Sequence, residues 1–490
     1  MRSIVSAQTR NILRSAARGS YGVPCAAVRW SSSEARQWST PLAKQLSEAI
    51  TVPATGPIPL ASFMRMCLTS DIGGYYTSKQ EGRDQFGQKG DFITSPEISQ
   101  IFGELIGIWF VAEWMAQGKK SKGVELVEIG PGRGTLMDDM LRTIQNFKPM
   151  ASSIEAVYLV EASPALREAQ KQLLCGDAPM TETSIGHQST SKYANIPIIW
   201  TENIRFVPSG EDKTPFIVAH EFFDALPIHA FQSVAPTPSP QETTIKTPTG
   251  EHALSPSAQK ANANAKQTGP QWREMVVSPA PPPSTTTTTS KDQPPEFQLT
   301  LSKSSTPHSL YLPEVSLRYK ALKSTPGSLI EVSPESHAYA AAIASLIGKP
   351  SSGAALILDY GPADTIPINS LRGIKGHKRV SPLSEPGLVD LSADVDFVAL
   401  AEAACKATEG VEVWGPVEQG GWLEGMGIRE RAEMLGKGRG GEEKGRIESA
   451  CKRLVERGGG GMGKVYKVLA IVPESAGRRR PVGFGGDVEG

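Results

Sequence analysis

One stretch limits the choice of fold more than any other. Val124 to Ile129 is a largely aliphatic run of strand length, interrupted by Glu125 and Glu128, that passes into Gly130-Pro131-Gly132-Arg133-Gly134. Thr135 to Phe147 then carries helical periodicity before a second apolar run, Ala156 to Val160. Strand, glycine turn, helix and strand make a βαβ unit, whose parallel strands need cover on both faces. Further apolar runs, Ile196 to Trp200, Pro215 to Ala219 and Ala354 to Leu358, alternate with helix-like segments such as His337 to Ile347, and Val465 to Val472 closes the series. The expected fold is α/β: a mostly parallel, Rossmann-like sheet between helices.

The flanks read differently. Leu42 to Ile50 and Leu60 to Thr69 look like short helices, and Thr94-Ser95-Pro96-Glu97 offers a cap, a first-turn proline and a glutamate that can reach back. Ile98, Ile101, Phe102, Leu105, Ile108, Trp109 and Ala112 then recur at helical spacing, which predicts one long buried helix. Residues 41–122 are thus an N-terminal helical segment ahead of a domain over 123–475. Within that domain, Ala230 to Val234, Trp272 to Val277 and Phe297 to Leu301 read as an antiparallel ribbon inserted at 230–302. The Pro-, Thr- and Ser-rich stretches 235–269 and 278–295 bury too little apolar surface to fold and are expected as disordered loops. Gly436 to Gly445 and the tail 476–490 are expected to be mobile.

Lysine and arginine total 51 against 51 acidic residues, so no bulk positive field draws the chain to nucleic acid or anionic lipid. The most apolar segment, Ile98 to Met115, holds Glu104 and Glu113, which argues against a membrane span. Five scattered cysteines form no C-x-x-C pair and no metal-ligand spacing with histidine. Residues 1–33 differ in kind: Arg2, Arg10, Arg14, Arg18 and Arg29 stand among serines and alanines, with no acid before Glu34. That is the composition of a mitochondrial transit peptide, with removal expected near Arg29; a basic tail without an address is the alternative.

In Glu128-x-Gly130-x-Gly132-x-Gly134 the glycines let the chain turn sharply and let a ligand approach the amides that open the next helix. A dinucleotide site needs G-x-G-x-x-G. The leading acid would oppose a diphosphate and suits the ammonium of a methionine moiety, so the loop favours S-adenosylmethionine over NAD. Glu128, Gly130, Pro131, Gly132 and Gly134 are the candidate cofactor residues. They are joined by Glu161, which ends the next strand where a ribose diol needs an acceptor; a helix-capping glutamate is the alternative. No metal is expected.

Phe216 to Pro227 is an apolar strand running into His220, Glu221 and Asp224. A guanidinium stays protonated in water, so methylating one calls for carboxylates that orient its fork and hold its charge. Glu221 and Asp224 are the candidate catalytic pair, aligned if the chain turns helical there; a structural ion pair or cap would use the same residues. His220 can stack or accept a proton. Asp359-Tyr360-Gly361 either lines the crevice or holds a turn, and Trp272, Trp414 and Trp422 fit packing better than a substrate cage.

Across residues 60–475 the chain resembles the mitochondrial protein-arginine methyltransferases that act as complex I assembly factors, homologous to a slime-mould mitochondrial-dysfunction protein. Seven motifs in order carry the resemblance: Gly90 to Ser99, Glu128 to Thr135, His220 to Pro227, Glu331 to Glu335, Leu358 to Gly361, Asp390 to Phe397 and Gly463 to Leu469. It implies a class I methyltransferase fold, S-adenosylmethionine as donor, and Gly130, Gly132 and Gly134 as cofactor-loop residues. It further implies symmetric dimethylation of an arginine in a core matrix-arm subunit of NADH:ubiquinone oxidoreductase, in the mitochondrial matrix, in support of complex I assembly. The long Pro/Thr-rich loops and the glycine-rich segment after Met434 depart from the pattern. Two other readings remain open on the residues alone: a chaperone for complex I assembly that binds the cofactor without using it, and a methyltransferase for a small molecule.

Overall fold

A computed structural model describes residues 36–52, 56–77, 90–91, 93–236, 244–247, 250–253, 269–281, 294–348, 350, 352–475 and 479–485. The leader expected at 1–33, and most of the loops expected at 235–269 and 278–295, lie outside the described residues.

Helices α1 (Pro41–Thr51) and α2 (Leu60–Thr69) flank the short strand β1 (Ile58–Pro59). Thr94 and Glu97 close a capping box on α3 (Ser95–Ile98). The chain then extends at Ser99, whose side chain caps α4 (Gln100–Ala116) by accepting from the Ile101 amide. The one helix expected from Ser95 onward is therefore two, because a serine that bonds the backbone locally competes with helix continuation. Next come β2 (Val124–Ile129), α5 (Thr135–Ile144), α6 (Lys148–Ala151), β3 (Ile154–Val160) and α7 (Pro164–Cys175). They are followed by β4 (Thr181–Thr183), β5 (Gly186–Thr190), β6 (Pro197–Thr201) and β7 (Thr214–His220).

The inserted region holds β8 (His229–Val234), β9 (Thr244–Thr247), β10 (Gly250–Ala253), β11 (Gln271–Pro279) and β12 (Phe297–Leu301). Then follow α8 (Pro307–Tyr311), α9 (Leu317–Leu322), β13 (Leu329–Val332), α10 (Pro334–Gly348) and β14 (Ala354–Tyr360). The rest is β15 (Arg372–Lys375), β16 (Lys378–Val380), β17 (Asp390–Ser392), α11 (Phe397–Ala407), β18 (Val411–Glu418), α12 (Gln419–Gly425), α13 (Ile428–Gly436), α14 (Gly441–Val455) and β19 (Tyr466–Pro473).

The main sheet has the order β18-β19-β14-β7-β2-β3-β6-β5-β4. Its five central strands, β14, β7, β2, β3 and β6, are parallel, while the outer pairs β19–β14, β18–β19, β5–β6 and β4–β5 are antiparallel. Alternate strand residues feed two separate cores. Leu126, Val157, Phe216 and Leu356 pack beneath α4, α5 and α12, whereas Val127, Tyr158, Ile217 and Ile357 pack against α10 and α11. Burial on both faces explains why these strands read as continuous apolar runs. No helix among the described residues is long and apolar enough to cross a membrane. The two acids in α4 are instead held by cations: Glu104 by Arg142 and Arg431, Glu113 by Arg479.

The expected three-stranded ribbon is larger. β11 pairs with β8, β12 and β1, and β8 with β13, which makes a five-stranded antiparallel sheet. Its apolar face needed a cover, and α1 and α2 supply one through Leu42, Leu46, Phe63 and Met64 against Ala230, Val277 and Phe297. The segment 41–122 is therefore packed into the domain expected to begin at 123 rather than set apart from it. Inside the stretch expected as a disordered loop, β9 and β10 pair antiparallel, Thr247 opposite Gly250 and Thr244 opposite Ala253. Ser278 and Pro279 likewise continue β11 rather than opening a loop. Helices α13 and α14 occupy most of the glycine-rich segment expected to be mobile, since Glu442 and Glu443 suit the first turn of α14 and Lys452 and Arg453 its last.

The tail is also corrected in part: residues 479–485 are packed. Arg479 donates through Nη1 to Glu113 Oε1 at 3.0 Å and through Nη2 to the other oxygen, the Val482 carbonyl accepts from the Trp109 indole at 3.0 Å, and Phe484 is buried in the core beneath the sheet. Buried acid draws the cation, and apolar contact holds the turn. Arg479→Ala should accordingly lower stability by roughly 2 kcal/mol in urea denaturation, because it strands a buried carboxylate. An unchanged midpoint would show that the tail is not a staple.

Candidate active site

Strand β2 leads to β3 on one side and β7 leads onward to β14 on the other, so the direction of winding reverses between β2 and β7. In an open α/β sheet the crevice for a ligand forms beyond the carboxyl ends of the strands at such a reversal. Ile129 and His220 are the last residues of these two strands, and the candidate residues follow directly from both.

Gly130, Gly132 and Gly134 all adopt left-handed backbone, with φ of 68°, 52° and 85°. The Gly134 amide closes the turn on the Pro131 carbonyl at 2.7 Å, and Gly134 caps α5. A Cβ on Gly130 would stand 2.7 Å from a ring carbon of Phe222, so this glycine admits the loop after β7. Glu128 is buried beneath the turn, accepts from the Met137 amide, and leaves Oε2 without a partner. Burial, then the nearby Glu161, push its carboxyl well above the usual range. Glu161 Oε1 accepts from the Ser163 amide at 2.7 Å, and Oε2 from Gln170 Nε2 at 3.1 Å. Burial raises Glu161 to about 7. Glu161 thus serves the turn into α7 as well as facing the glycine loop.

The second half of the site is an acidic cluster. Glu221 is not helical but left-handed, with φ 49°, so the three-residue spacing to Asp224 is bridged by a turn rather than a helix. That turn is pinned by Asp359 at the end of β14, whose Oδ2 accepts from the amides of Phe222, Phe223 and Asp224 at 3.2, 2.9 and 3.3 Å. Of the two roles open to it, Asp359 thus holds the turn. Burial, then Asp224, raise the Glu221 carboxyl to about 8, with Tyr466 and the Ser95 amide bonding to it and opposing the rise. Its Oε1 has no partner and lies 3.4 Å from His220 Nε2, itself unpartnered. His220 packs edge-on to Phe102, and burial lowers its pKa to about 3, so it is neutral. Asp224 accepts from the Tyr360 hydroxyl, and its pKa is raised by burial against the pull of Tyr360 and Arg372. The Arg372 guanidinium lies 4.2 Å above the Tyr360 ring and is tied to Asp394 at 2.6 Å. Tyr76 donates to the buried Asp390 at 2.9 Å.

The two carboxylates singled out in the sequence are thus brought together but are not equivalent: Asp224 is partnered by Tyr360, whereas Glu221 presents a free buried oxygen. Sequence reasoning assigned no role to Gln170, Tyr466, Arg372 and Asp390, and none of its own to Tyr360 beyond its segment. Gln170 ties the Gly132 carbonyl to Glu161 and accepts from the Trp200 indole. Its one signal was its place on the face of α7 shared with Arg167 and Leu174. A turned glycine backbone, an unpartnered Glu128 oxygen and a second carboxylate nearby fit a cofactor carrying an ammonium and a sugar diol, because the ammonium offsets the repulsion between the two acids and the diol donates hydrogen bonds to them. The acidic cluster beside it suits a cation.

Residues 105–417 match the family model described as "Putative S-adenosyl-L-methionine-dependent methyltransferase". The chain is 36% identical over 456 residues to the Drosophila melanogaster "Protein arginine methyltransferase NDUFAF7 homolog, mitochondrial", covering 90% of this chain and 87% of that protein. It is 36% identical over 400 residues to the Homo sapiens "Protein arginine methyltransferase NDUFAF7, mitochondrial", covering 81% and 75%. Its fold matches a Burkholderia thailandensis crystal structure bound to S-adenosyl-homocysteine with a TM-score of 0.61 at 20% identity, over 90% of this chain and 93% of that one. With its class I methyltransferase fold and S-adenosylmethionine as cofactor, the chain belongs to the family of mitochondrial protein-arginine methyltransferases represented by NDUFAF7.

Proposed function

We propose that the chain transfers the methyl group of S-adenosylmethionine to an arginine of a protein substrate in mitochondria, with Glu128, Gly130, Pro131, Gly132, Gly134 and Glu161 holding the cofactor and Glu221 and Asp224 serving the acceptor. The observation that carries the acceptor is the free Oε1 of Glu221, buried among acids at the strand ends next to the glycine loop. A guanidinium satisfies that oxygen and offsets the surrounding negative charge, which a neutral substrate would not.

Bound cofactor supplies a methyl group on a sulfonium, with its leaving group already in place. What the protein adds is alignment and exclusion of water. Glu221 accepts from the guanidinium fork, and its Oε1 takes the proton that the methylated nitrogen gives up. Asp224, held by Tyr360 and Arg372, supplies negative charge from behind without leaving its place. Asp359 keeps both acids on one rigid turn. The Ser95 amide and the Tyr466 hydroxyl donate to Glu221 and hold it in place. On the seven motifs this reading extends to symmetric dimethylation of an arginine in a core matrix-arm subunit of NADH:ubiquinone oxidoreductase, in the mitochondrial matrix, supporting complex I assembly.

Gly132→Val, at φ 52°, should abolish cofactor binding in calorimetry, and unchanged binding would overturn the loop assignment. Glu221→Gln should keep cofactor binding and lose roughly a hundredfold or more in methylation rate. Because burial holds Glu221 protonated below about 8, wild-type kcat/KM should rise with pH and level off above that value; a flat profile from pH 6 to 9 would leave Glu221 structural. Mass spectrometry of matrix-arm subunits from cells carrying Glu221→Gln should show the arginine unmethylated. Retained methylation would show that transfer to that arginine does not need Glu221, and normal assembly without it would favour the chaperone reading.

A further inference from the structure

A second polar cluster lies on the antiparallel sheet, outside the crevice at the ends of β2 and β7. In the β8–β11 pair Phe231 stands opposite Glu274, so His229, two residues along β8, shares that face and reaches Glu274 diagonally. His229 Nδ1 lies 2.7 Å from Glu274 Oε1. From above, His308 in the first turn of α8 brings its Nδ1 to 3.4 Å from the other carboxylate oxygen. The two imidazole rings are 4.3 Å apart, and all three donor atoms lie within 4.8 Å of one another.

We propose that His229, Glu274 and His308 bind one divalent zinc-class ion. The donor set argues for the class of metal: two imidazoles and one carboxylate suit zinc, whereas calcium and magnesium seek oxygen alone. Zinc bonds of about 2.0–2.2 Å place ligand atoms roughly 3.3–3.5 Å apart in a tetrahedron, so the three atoms need only small adjustments. His308 is the ligand able to make them, since its side chain is 46% exposed and sits on a five-residue helix. The other two are fixed by sheet pairing, with Glu274 fully buried.

The surroundings are arranged to hold the ligands. Thr306 donates its hydroxyl to Glu274 Oε2 while its capping box with Ser309 sets the start of α8, and the Glu274 amide donates to Ser302 Oγ. Among the described residues, the ion-pair partners of Glu274 are the two imidazoles. A bound cation replaces the shared proton between His229 and Glu274, and that proton is released to solvent. The fourth position then opens beside His308 toward water. The ion would tie α8, which comes after the long Pro/Thr-rich insertion, to the sheet from which that insertion leaves.

The test uses the full chain stripped with EDTA and titrated with zinc chloride in a calorimeter. One equivalent should bind, Tm should rise in zinc relative to EDTA, and His308→Ala should lose both effects while keeping its circular dichroism and its S-adenosylmethionine affinity. Glu274→Gln should lose zinc uptake as well. A wild-type chain that takes up no zinc and shows no Tm shift would reduce the cluster to a hydrogen-bonded trio. Uptake by His308→Ala equal to wild type would place the metal elsewhere.

Discussion

The acidic half of the site hangs on one carboxylate. Asp359, the penultimate residue of β14, is buried and accepts four amides, three from the turn after β7 and its neighbour's at 2.9 Å. Those bonds collect orphan N–H groups of a loop onto one carboxyl group, as a capping side chain does at a helix N-terminus. They cost the protein a desolvated acid: burial and Asp224 hold the Asp359 carboxyl well above its ordinary range. In return the turn is rigid enough to keep Glu221 in a left-handed conformation, which a glutamate adopts only under constraint.

Around this anchor the protein concentrates acids that would otherwise repel. Glu221, Asp224, Asp359 and Asp390 all bind protons more tightly than exposed carboxyls, each chiefly because of burial. Tyr76, Tyr360 and Tyr466 surround them with hydroxyls, and Arg372 is the resident cation. A second guanidinium entering this cluster would meet a field already shaped for it. Preorganisation of this kind is worth more than flexible charges, because no reorganisation is needed as the reaction proceeds.

The parallel core was legible because both faces are buried: Val124 to Ile129 and Phe216 to Ala219 have no polar alternation to confuse them with surface strands. The glycine turn was legible because its three residues need conformations that other side chains resist. The second sheet was only partly legible, since its edge strand is Ile58–Pro59, two residues that carry no periodicity at all. Ser99 broke a helix whose apolar spacing runs straight through it. Arg372 and Gln170 could not be placed, as their partners lie far along the chain and a lone polar residue says nothing about which pocket it enters. The motifs Asp390 to Phe397 and Gly463 to Leu469 marked the right segments, yet only the fold shows that Asp390 and Tyr466 face Glu221 and Asp224.

The pairing of Glu113 with Arg479 joins residues 366 apart in the chain. A polypeptide that emerges or is threaded amino end first presents α4, with its desolvation-prone acid, long before the matching cation exists. The same holds for β19, which must slip between β14 and β18 after both are made. Closing such distant contacts last delays the final state, and half-finished chains of this topology expose apolar helix and unpaired strand. The chain's own completion is therefore a timing problem: until residue 479 arrives, Glu113 on α4 lacks the cation that holds it in the finished fold.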